Sequence, residues 1–477
     1  MPPARLQKVL APTTRSEASF FLLIRLDWTV MEIDINPKFA EVLDLLEHSN
    51  KNLFITGRAG TGKSTLLEYF RDKTAKNLAV LAPTGVAAIN VRGQTIHSFF
   101  GFKPDITIEK VKNSFRNKEK KELYKKLDIL IIDEISMVRA DLLDCVDQFL
   151  RQNGKQHDRP FGGTRVVFLG DLYQLPPVIS RDEYEMFSQE YNSPYFFDAL
   201  AMENFPLTLI ELETIYRQSD PKFIALLNAV RSGSLTQEQL TELNYRHDPT
   251  FVPPVNKFYL RLTTTNARAE TINQSQLELD HGEEVVLDGV TTGGFDGRVL
   301  PSPAQLRLKV GAQVMLVCND RGKRWVNGTM GKIEKFSTEK GFNKVVSVRL
   351  DSGELVDVTP YTWEMFKFVY REDSGKIDSQ SVGSYTQYPL ILAWAVTIHK
   401  AQGKTFERVI VDFDRGTFAH GQAYVALSRC TSLSGMVLTQ PLQLRHLILD
   451  RRVVGFLTNF DNRKVIEEMK LDINDII

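Results

Sequence analysis

The chain has 477 residues, more than one hydrophobic core usually supports, so we expect two or more domains. Lysine plus arginine and aspartate plus glutamate each total 59, so there is no global basic excess and any nucleic-acid surface must be local. The cysteines Cys145, Cys318 and Cys430 form no C-x-x-C pair, which argues against a disulfide framework or a zinc site and favours a reducing, intracellular compartment.

The N-terminal segment differs in character from the rest of the chain. Residues 20–26 are apolar, but they are too few to span a bilayer and Arg25 interrupts them. Basic residues and few acids give the segment the composition of a transit peptide, and the simpler interpretation is an upstream extension with Met31 as an alternative start. We therefore assign residues 1–37 to an extension outside the functional domains, and we expect no membrane partner.

A glycine-rich segment, GRAGTGKS at residues 57–64, lies between the apolar run 53–55 and a helical pattern at 65–70. This is the spacing of a P-loop, whose glycines let successive backbone N–H groups turn inward at a helix N-terminus and bind phosphate. Lys63 then reaches the β- and γ-phosphates, and the hydroxyl of Ser64 ligates Mg²⁺. The predicted nucleotide site comprises Gly57, Gly60, Thr61, Gly62, Lys63, Ser64 and Thr65.

Two further predicted strands end in polar residues. Residues 129–132 are four aliphatics in a row, typical of a strand buried on both faces of a parallel sheet, and Asp133 and Glu134 follow them. Asp133 is placed to hold Mg²⁺ through its water shell, and Glu134 to orient and deprotonate the attacking water. Gln174 follows the strand 166–169, where its amide can contact the γ-phosphate. Strands alternating with helices over residues 38–200 predict a parallel α/β domain.

A second α/β pattern, without a P-loop, follows at residues 208–218, 258–266, 397–412 and 423–439. It carries Arg217 and Arg429, and an arginine from a facing domain can neutralise the charge of a phosphoryl-transfer transition state. For either arginine alone, a structural salt bridge is an equal alternative. Residues 306–370 interrupt the pattern with short alternating strands and turn signals, which predicts a small β-barrel insertion.

Seven motifs carry a family resemblance, in the order GRAGTGKS, APTGVAAINVRGQTIHSFF, ILIIDEISM, GDLYQLPPV, ETIYRQ, TIHKAQGKTF and YVALSRC. Together they resemble the motif set of superfamily-1B DNA helicases, in particular the petite-integration-frequency (Pif) branch, beside the RecD-like enzymes. The resemblance covers residues 39–440. It implies an α/β fold of two tandem RecA-like parallel-sheet domains, with a small wedge insertion and an SH3-like β-barrel insertion.

The resemblance also implies roles for individual residues. Lys63, Glu134, Gln174, Arg217 and Arg429 match catalytic residues of ATP hydrolysis. Ser64 and Asp133 match metal ligands, and Gln402 and Gly403 match nucleotide contacts. The glutamine that reads adenine in the family is not evident near residues 36–39, so the sequence does not predict which base is preferred. The implied DNA contacts are Thr84, Gly85, Thr95, His97, Ser98, Phe99, Asn266, Thr397, His399 and Lys400, with Phe99 available to stack on bases.

The motifs and the interruption set the expected domain boundaries. The extension is expected at 1–37, the first RecA-like domain at 38–205 with its wedge at 102–126, and the second at 206–290 and 386–440. The SH3-like insertion is expected at 291–385 and a helical tail at 441–477. Residues 110–126 hold eight basic residues against two glutamates, and their place in the wedge makes this run a candidate DNA surface.

The predicted function is ATP-dependent translocation on single-stranded DNA with unwinding at single-strand to double-strand junctions, and of G-quadruplexes or R-loops, in genome maintenance. The 5′-to-3′ polarity is implied by the resemblance alone. ATP and Mg²⁺ are the expected cofactors. We expect a monomer, or a dimer formed on DNA, in a bacterial nucleoid or in a eukaryotic nucleus or mitochondrion.

Two alternative functions stay open. One is a RecD-like DNA-stimulated ATPase subunit of a larger recombination complex. The other is a small-molecule kinase, which would need a phosphoacceptor pocket and a lid and would leave the second domain and its arginines unexplained. Stimulation of ATPase activity by single-stranded DNA discriminates among these functions.

Overall fold

The computed structural model of the chain describes residues 35–114, 121–218, 220–254, 256–297, 300–338, 344–414 and 416–460. Most of the predicted N-terminal extension, the middle of the basic run and the end of the predicted tail lie outside these ranges. Within the described ranges, no helix combines the length and the apolar character needed to cross a bilayer.

Six parallel strands form the first sheet: β1 (Asn52–Gly57), β2 (Leu78–Ala82), β3 (Gln94–Thr95), β4 (Ile129–Ile132), β5 (Arg165–Leu169) and β6 (Leu207–Leu212). Their order is β3-β2-β4-β5-β1-β6. β1, β4 and β5 contain the apolar runs 53–55, 129–132 and 166–169 of the sequence. The whole of β6 pairs with β1, so the first sheet continues past the boundary expected at residue 205.

Helices cover both faces of this sheet: α1 (Pro37–His48), α2 (Lys63–Lys73), α3 (Gly85–Asn90), α4 (Ile96–Phe100), α5 (Ile108–Ser114), α6 (Lys121–Lys126), α7 (Ala140–Asn153) and α8 (Arg181–Glu190). In β1, Phe54 packs into the core on one face, and Leu53 and Ile55 pack into the core on the other. Burial on both faces explains the unbroken apolar runs of these strands. We call this unit the first domain.

The described part of the predicted wedge contains α5 and α6. Their apolar side chains Val111, Leu123 and Tyr124 join the core of the first domain. The lysines at 110, 112, 121 and 126 are exposed on the outside. The basic run is therefore a surface layer on a packed helix pair in its described part, and its role in DNA binding stays a prediction.

The second domain begins with α9 (Pro221–Ser232), α10 (Gln237–Asn244), β7 (Leu260–Thr263) and α11 (Asn266–Leu279). An insertion follows: β8 (Val285–Asp288), β9 (Val290–Gly293), β10 (Gln305–Leu308), β11 (Gln313–Leu316), β12 (Met330–Ser337), β13 (Val345–Leu350), β14 (Leu355–Val358), β15 (Tyr361–Arg371), β16 (Lys376–Gln387) and β17 (Leu390–Leu392). The domain resumes with β18 (Ala395–Thr397), α12 (Ile398–Ala401), β19 (Val409–Asp412), α13 (Gln422–Leu427) and β20 (Met436–Leu438). Its parallel sheet has the order β18-β7-β19-β20.

The insertion contains a five-stranded antiparallel sheet in the order β14-β13-β12-β11-β17. It includes the predicted short strands, and the SH3-like barrel stays a prediction. Because β17 pairs with β11, this sheet extends past the boundary expected at residue 385. The hairpin β15–β16 reaches the first domain, where Phe368 is buried in the core and its N–H donates to Oε1 of Gln94 at 3.2 Å.

The C-terminal part also returns to the first domain. Residues 451–460 are helical. The ring of Phe456 stacks on that of Phe197 with centroids 4.3 Å apart, and Val453 is buried in the same core. The predicted tail therefore tethers the second domain to the first.

Candidate functional site

The P-loop joins β1 to α2 and holds Lys63 over its own carbonyls. Nζ of Lys63 donates to the carbonyl oxygens of Gly57 at 2.6 Å and Arg58 at 3.1 Å. Burial lowers the pKa of Lys63, and the charges of Asp171, Glu134 and Asp133 oppose that shift. The ammonium group thus lies at the mouth of the loop, where the phosphates of a nucleotide bind to P-loops.

Position 60 requires a glycine because the segment after β6 packs closely against the P-loop there. Its φ is +85°, and a Cβ there would lie 2.4 Å from Cβ of Arg217. The N–H of Tyr216 donates to the carbonyl of Gly60 at 2.9 Å. Arg217 therefore lies in the connection between the two domains, packed on the P-loop, and not inside the second α/β unit where the sequence placed it.

Asp133 and Glu134 follow β4, as predicted. Asp133 is buried and Glu134 is half-buried, both near Lys63, and Glu134 has left-handed backbone torsions with φ of 51°. Burial, together with the neighbouring Asp133 charge, raises the pKa of Glu134 to about 7. A carboxyl group with a pKa near neutrality suits a general base.

A row of polar side chains links Glu134 to both domains. Oε2 of Glu134 accepts a hydrogen bond from Nε2 of Gln402 at 3.2 Å, and the same Nε2 lies 3.4 Å from Oε1 of Gln174. Nε2 of Gln174 donates to Oδ2 of Asp171 at 3.3 Å. The structure thus brings the predicted Gln174 and Gln402 to Glu134 from the two sides of the interdomain cleft.

Arg217 and Arg429 face this cleft. Nη2 of Arg217 donates to the carbonyl of Gly403 at 3.1 Å, and Nη1 is buried without a hydrogen-bond partner among the described residues. Arg429 is 1% exposed and donates to the carbonyls of Val425 and Lys404 and to Oγ of Ser428. Burial, followed by the charge of Arg217, lowers the pKa of Arg429 to about 9. The acceptors of both arginines are thus uncharged oxygens.

The predicted DNA contacts cluster at helix starts that follow strands. The side-chain oxygens of Thr84, Thr95 and Thr397 accept hydrogen bonds from backbone N–H groups in the first turns of α3, α4 and α12. Thr265 does the same for α11, just before the predicted Asn266. Each domain therefore presents two such helix starts. These threonines belong to the motifs TG, TIHS, TN and TIHK.

The other predicted DNA contacts differ in exposure. Lys400 and Asn266 are exposed, whereas Gly85, Ser98 and the two histidines are half-buried. Burial lowers the pKa of His97 and of His399, which favours neutral imidazoles. These histidines can hydrogen-bond to a backbone phosphate but do not supply a positive charge at neutral pH.

Phe99 is a correction to the sequence prediction. It is 1% exposed, and its ring makes edge contacts with Phe100, Tyr124 and Phe368. The side chain is part of the first-domain core, so it is not available to stack on a base. The motif placed it beside DNA-facing residues, but the helix turns it inward.

Asn36, Phe39 and Tyr216 lie where the family has its adenine-reading glutamine, which is not evident in this sequence. Oδ1 of Asn36 accepts from the N–H of Phe39, and its Nδ2 donates to the hydroxyls of Tyr216 and Thr214 at 3.0 and 3.2 Å. The rings of Phe39 and Tyr216 flank Gly62. Both polar atoms of the Asn36 amide therefore hydrogen-bond within the protein, and the nucleotide base that the site prefers stays unpredicted.

Sequence reasoning missed three residues at this site. The hydroxyl of Tyr424, on α13, accepts from the N–H of Ala59 in the P-loop at 3.3 Å, and burial raises its pKa to about 12. Asp171 and its partner Arg231 also went unrecognised. Asp171 and Tyr424 stand in the GDLYQLPPV and YVALSRC motifs and were open to recognition there, whereas Arg231 lies on the last turn of α9 without a local signal.

One α/β domain carries a P-loop and a strand that is followed by two acidic residues, and arginines lie at the border of a second α/β domain. Together these features define a two-domain nucleotide-hydrolysing motor of the helicase class. The family model for PIF1-like helicases matches residues 35–241. The ATP-dependent DNA helicase Pif1 of Bdellovibrio bacteriovorus is 33% identical over 446 residues, covering 91% of this chain and 93% of that protein. The chain belongs to the PIF1-like helicase family and is an ATP-dependent DNA helicase.

Solved structures agree with this assignment. Pif1 from Bacteroides sp in complex with ADP-AlF4 superposes with a TM-score of 0.82 at 36% identity, covering 91% of this chain and 98% of that one. Bacteroides Pif1 bound to single-stranded DNA covers the same shares at 37% identity with a TM-score of 0.64. The α/β architecture is therefore that of Pif1 helicases.

Proposed function

We propose that this helicase moves along single-stranded DNA in the 5′-to-3′ direction and separates duplex at junctions, driven by opening and closing of the cleft between its two domains. The observation that supports this most is that two arginines face the cleft, Arg217 from the interdomain connection where it packs on the P-loop, and Arg429 from the segment just after α13. Their charge suits the equatorial oxygens of a γ-phosphate in transfer.

Each catalytic residue has a task that its surroundings support. Lys63 binds the β- and γ-phosphates from the mouth of the P-loop. Glu134 accepts a proton from the attacking water, which its raised pKa favours. Gln402 donates to that carboxylate and lies against Gln174, and the two amides contact the γ-phosphate from both domains. Loss of the γ-phosphate then removes the anion shared by the two arginines, and the cleft reopens.

The residues beside the P-loop fit a hard cation. The carboxylate of Asp133 is buried next to Lys63, and the Ser64 hydroxyl is exposed at the start of α2. Mg²⁺ prefers such oxygen ligands, and with few protein ligands it keeps waters and binds substrate phosphates. In the part of the chain that the structure describes, no group of three or more acidic, histidine or cysteine side chains forms a metal cage. When bound, Mg²⁺ would neutralise charge on the phosphates.

The grip on DNA follows from the threonine-capped helix starts that directly follow strands. Two belong to each domain, at Thr84 and Thr95 in the first and at Thr265 and Thr397 in the second. Backbone N–H groups and hydroxyls bind phosphates without reading sequence. A strand held at both pairs would advance when the domains move relative to each other.

We further propose that DNA binding rearranges the domains, because the relative's DNA complex fits this chain less well than its ADP-AlF4 complex does. G-quadruplexes and R-loops are proposed substrates on the strength of the family resemblance, as is action by a monomer or a DNA-bound dimer. The RecD-like alternative is not favoured, since the matched relatives carry the Pif1 name.

A steady-state ATPase assay with and without single-stranded DNA tests the proposal, followed by unwinding of duplexes with 5′ or 3′ overhangs. We expect strong stimulation by the strand and unwinding of the 5′-overhang duplex. Lys63→Ala should abolish both activities, and Lys51→Ala, which changes an exposed lysine before β1, should leave them intact. An ATPase rate that does not change when DNA is added would reject the translocation scheme.

A further inference from the structure

Arg231, on the last turn of α9 in the second domain, reaches groups that all belong to the first domain. Its side chain is 12% exposed, and Nη2 lies 3.1 Å from Oδ1 of Asp171 and 3.6 Å from Oε1 of Glu211. The guanidinium carbon lies 4.3 Å from the centre of the Tyr173 ring. Arg231 thus forms a buried ion pair across the interdomain cleft, and the hydrolysis scheme above leaves it unused.

The segment that Arg231 contacts is pressed against the second domain on its other side as well. Leu175 is fully buried in the core of the second domain. A Cβ on Gly421, at the start of α13, would lie 2.2 Å from the carbonyl oxygen of Tyr173. Residues 171–175 therefore belong to the first domain by sequence but are positioned in part by the second.

The ionisation state of Asp171 determines the orientation of the Gln174 amide. The charges of Arg231 and Lys63 outweigh burial and lower the pKa of Asp171, so its carboxylate is ionised and only accepts hydrogen bonds. Oδ2 of Asp171 must therefore face the Nε2 donor of Gln174, at 3.3 Å. Oε1 of Gln174 is left to point at Gln402, the residue that also contacts Glu134.

We propose that Arg231 is a positioning residue for ATP hydrolysis. It fixes Asp171 from the second domain, and Asp171 in turn fixes the Gln174 amide with its oxygen toward Gln402. The orientation of Gln174 thereby depends on the arrangement of the two domains. This inference rests on the proposed catalytic role of Gln174.

The competing explanation is that the ion pair only holds the domains together. A buried ion pair is weak evidence for stability, although breaking one leaves an uncompensated charge. The two explanations differ in one respect: a positioning residue loses its effect once the group that it positions is gone, whereas a purely structural contact does not.

The test is a double-mutant cycle on DNA-saturated ATPase activity with Arg231→Met, Gln174→Ala and the double variant. We expect Arg231→Met to lower kcat about tenfold or more while KM for ATP stays within about threefold, because the groups for binding phosphate are untouched. In the Gln174→Ala background the same change should lower kcat by less than about twofold. Arg246→Met is the matched control, since Arg246 donates only to the carbonyls of Met436 and Ser434 within the second domain.

An equal fold loss of kcat in both backgrounds, or an unchanged kcat in Arg231→Met, would overturn the inference. Should Arg231→Met fail to fold with Asp171 unpaired, the variant Asp171→Asn/Arg231→Met takes its place in the same cycle, because it buries no lone charge. A Gln174→Ala variant with normal kcat would reject both the role of Gln174 and that of Arg231. Reduced kcat in Gln174→Ala with a multiplicative effect of Arg231→Met would reject Arg231 alone.

Discussion

The guanidinium groups of Arg217 and Arg429 lie together at the cleft with only uncharged oxygens as hydrogen-bond acceptors. Burial and this like-charge contact lower the pKa of Arg429 to about 9. The buried Arg429 and the half-buried Arg217 hydrogen-bond to no carboxylate in the described part of the chain, and such a pair of cations favours an anion between them. The γ-phosphate of a nucleotide on the P-loop meets that requirement, since Gly60 of the loop packs directly on Arg217.

We therefore expect Arg217→Lys and Arg429→Lys each to lower DNA-stimulated kcat by about a hundredfold, because lysine keeps the charge but loses the planar fork. ATP affinity, measured with a fluorescent nucleotide, should change far less. Arg246→Lys, within the second domain, serves as control. If either variant instead loses ATP binding and turnover in proportion, that arginine contributes to ground-state binding only.

Glu134→Gln should retain ATP and DNA binding while hydrolysis stops. The substitution removes the base whose pKa is raised to about 7, and it keeps Asp133 and the hydrogen-bonding shape of the side chain. Equilibrium binding of nucleotide and of a labelled strand, beside single-turnover hydrolysis, checks this expectation. A variant that no longer binds nucleotide would reassign Glu134 to a structural role.

Affinity for single-stranded DNA should fall steeply with salt although the chain has no net charge. Each phosphate contact releases counterions, whatever the charge of distant surfaces. Lys400→Ala should reduce the slope of log K against log salt by about one, as expected for a lysine that contacts phosphate. The exposed Lys222, paired with Glu242, supplies the control variant. A binding constant that is flat between low and physiological salt would contradict a phosphate-based grip.

The parts of this molecule that the sequence predicted are those encoded locally. The spacing of GRAGTGKS defines a phosphate loop, and the aliphatic run before Asp133 defines a buried strand, whatever surrounds them. What it missed depends on contacts far apart in the chain. β6 joins the first sheet only because it pairs with β1, and Arg231 matters only because α9 meets Asp171 across the cleft. Thr265 was within reach, since it repeats the strand-then-threonine pattern of Thr84, Thr95 and Thr397, the threonines predicted to contact DNA.

The motif around Phe99 suggests one role for this residue and its packing shows another. The role of Phe99 can be tested directly. The motif TIHSFF suggests an aromatic beside DNA, but the ring is buried against Phe100, Tyr124 and Phe368. Phe99→Ala should therefore act on stability, with a cost of about 3–5 kcal/mol for a fully buried phenylalanine and a lower midpoint of thermal unfolding. The folded variant should bind single-stranded DNA normally at a temperature well below that midpoint.

The matched control for this experiment is Phe149→Ala. Phe149 is 0% exposed in the same aromatic cluster and lies on α7, outside the motif in sequence. Both variants should lose similar stability and keep similar DNA affinity, because each creates a cavity in one core. A loss of DNA affinity in Phe99→Ala that exceeds the loss in Phe149→Ala at equal stability would restore a role for Phe99 at the strand.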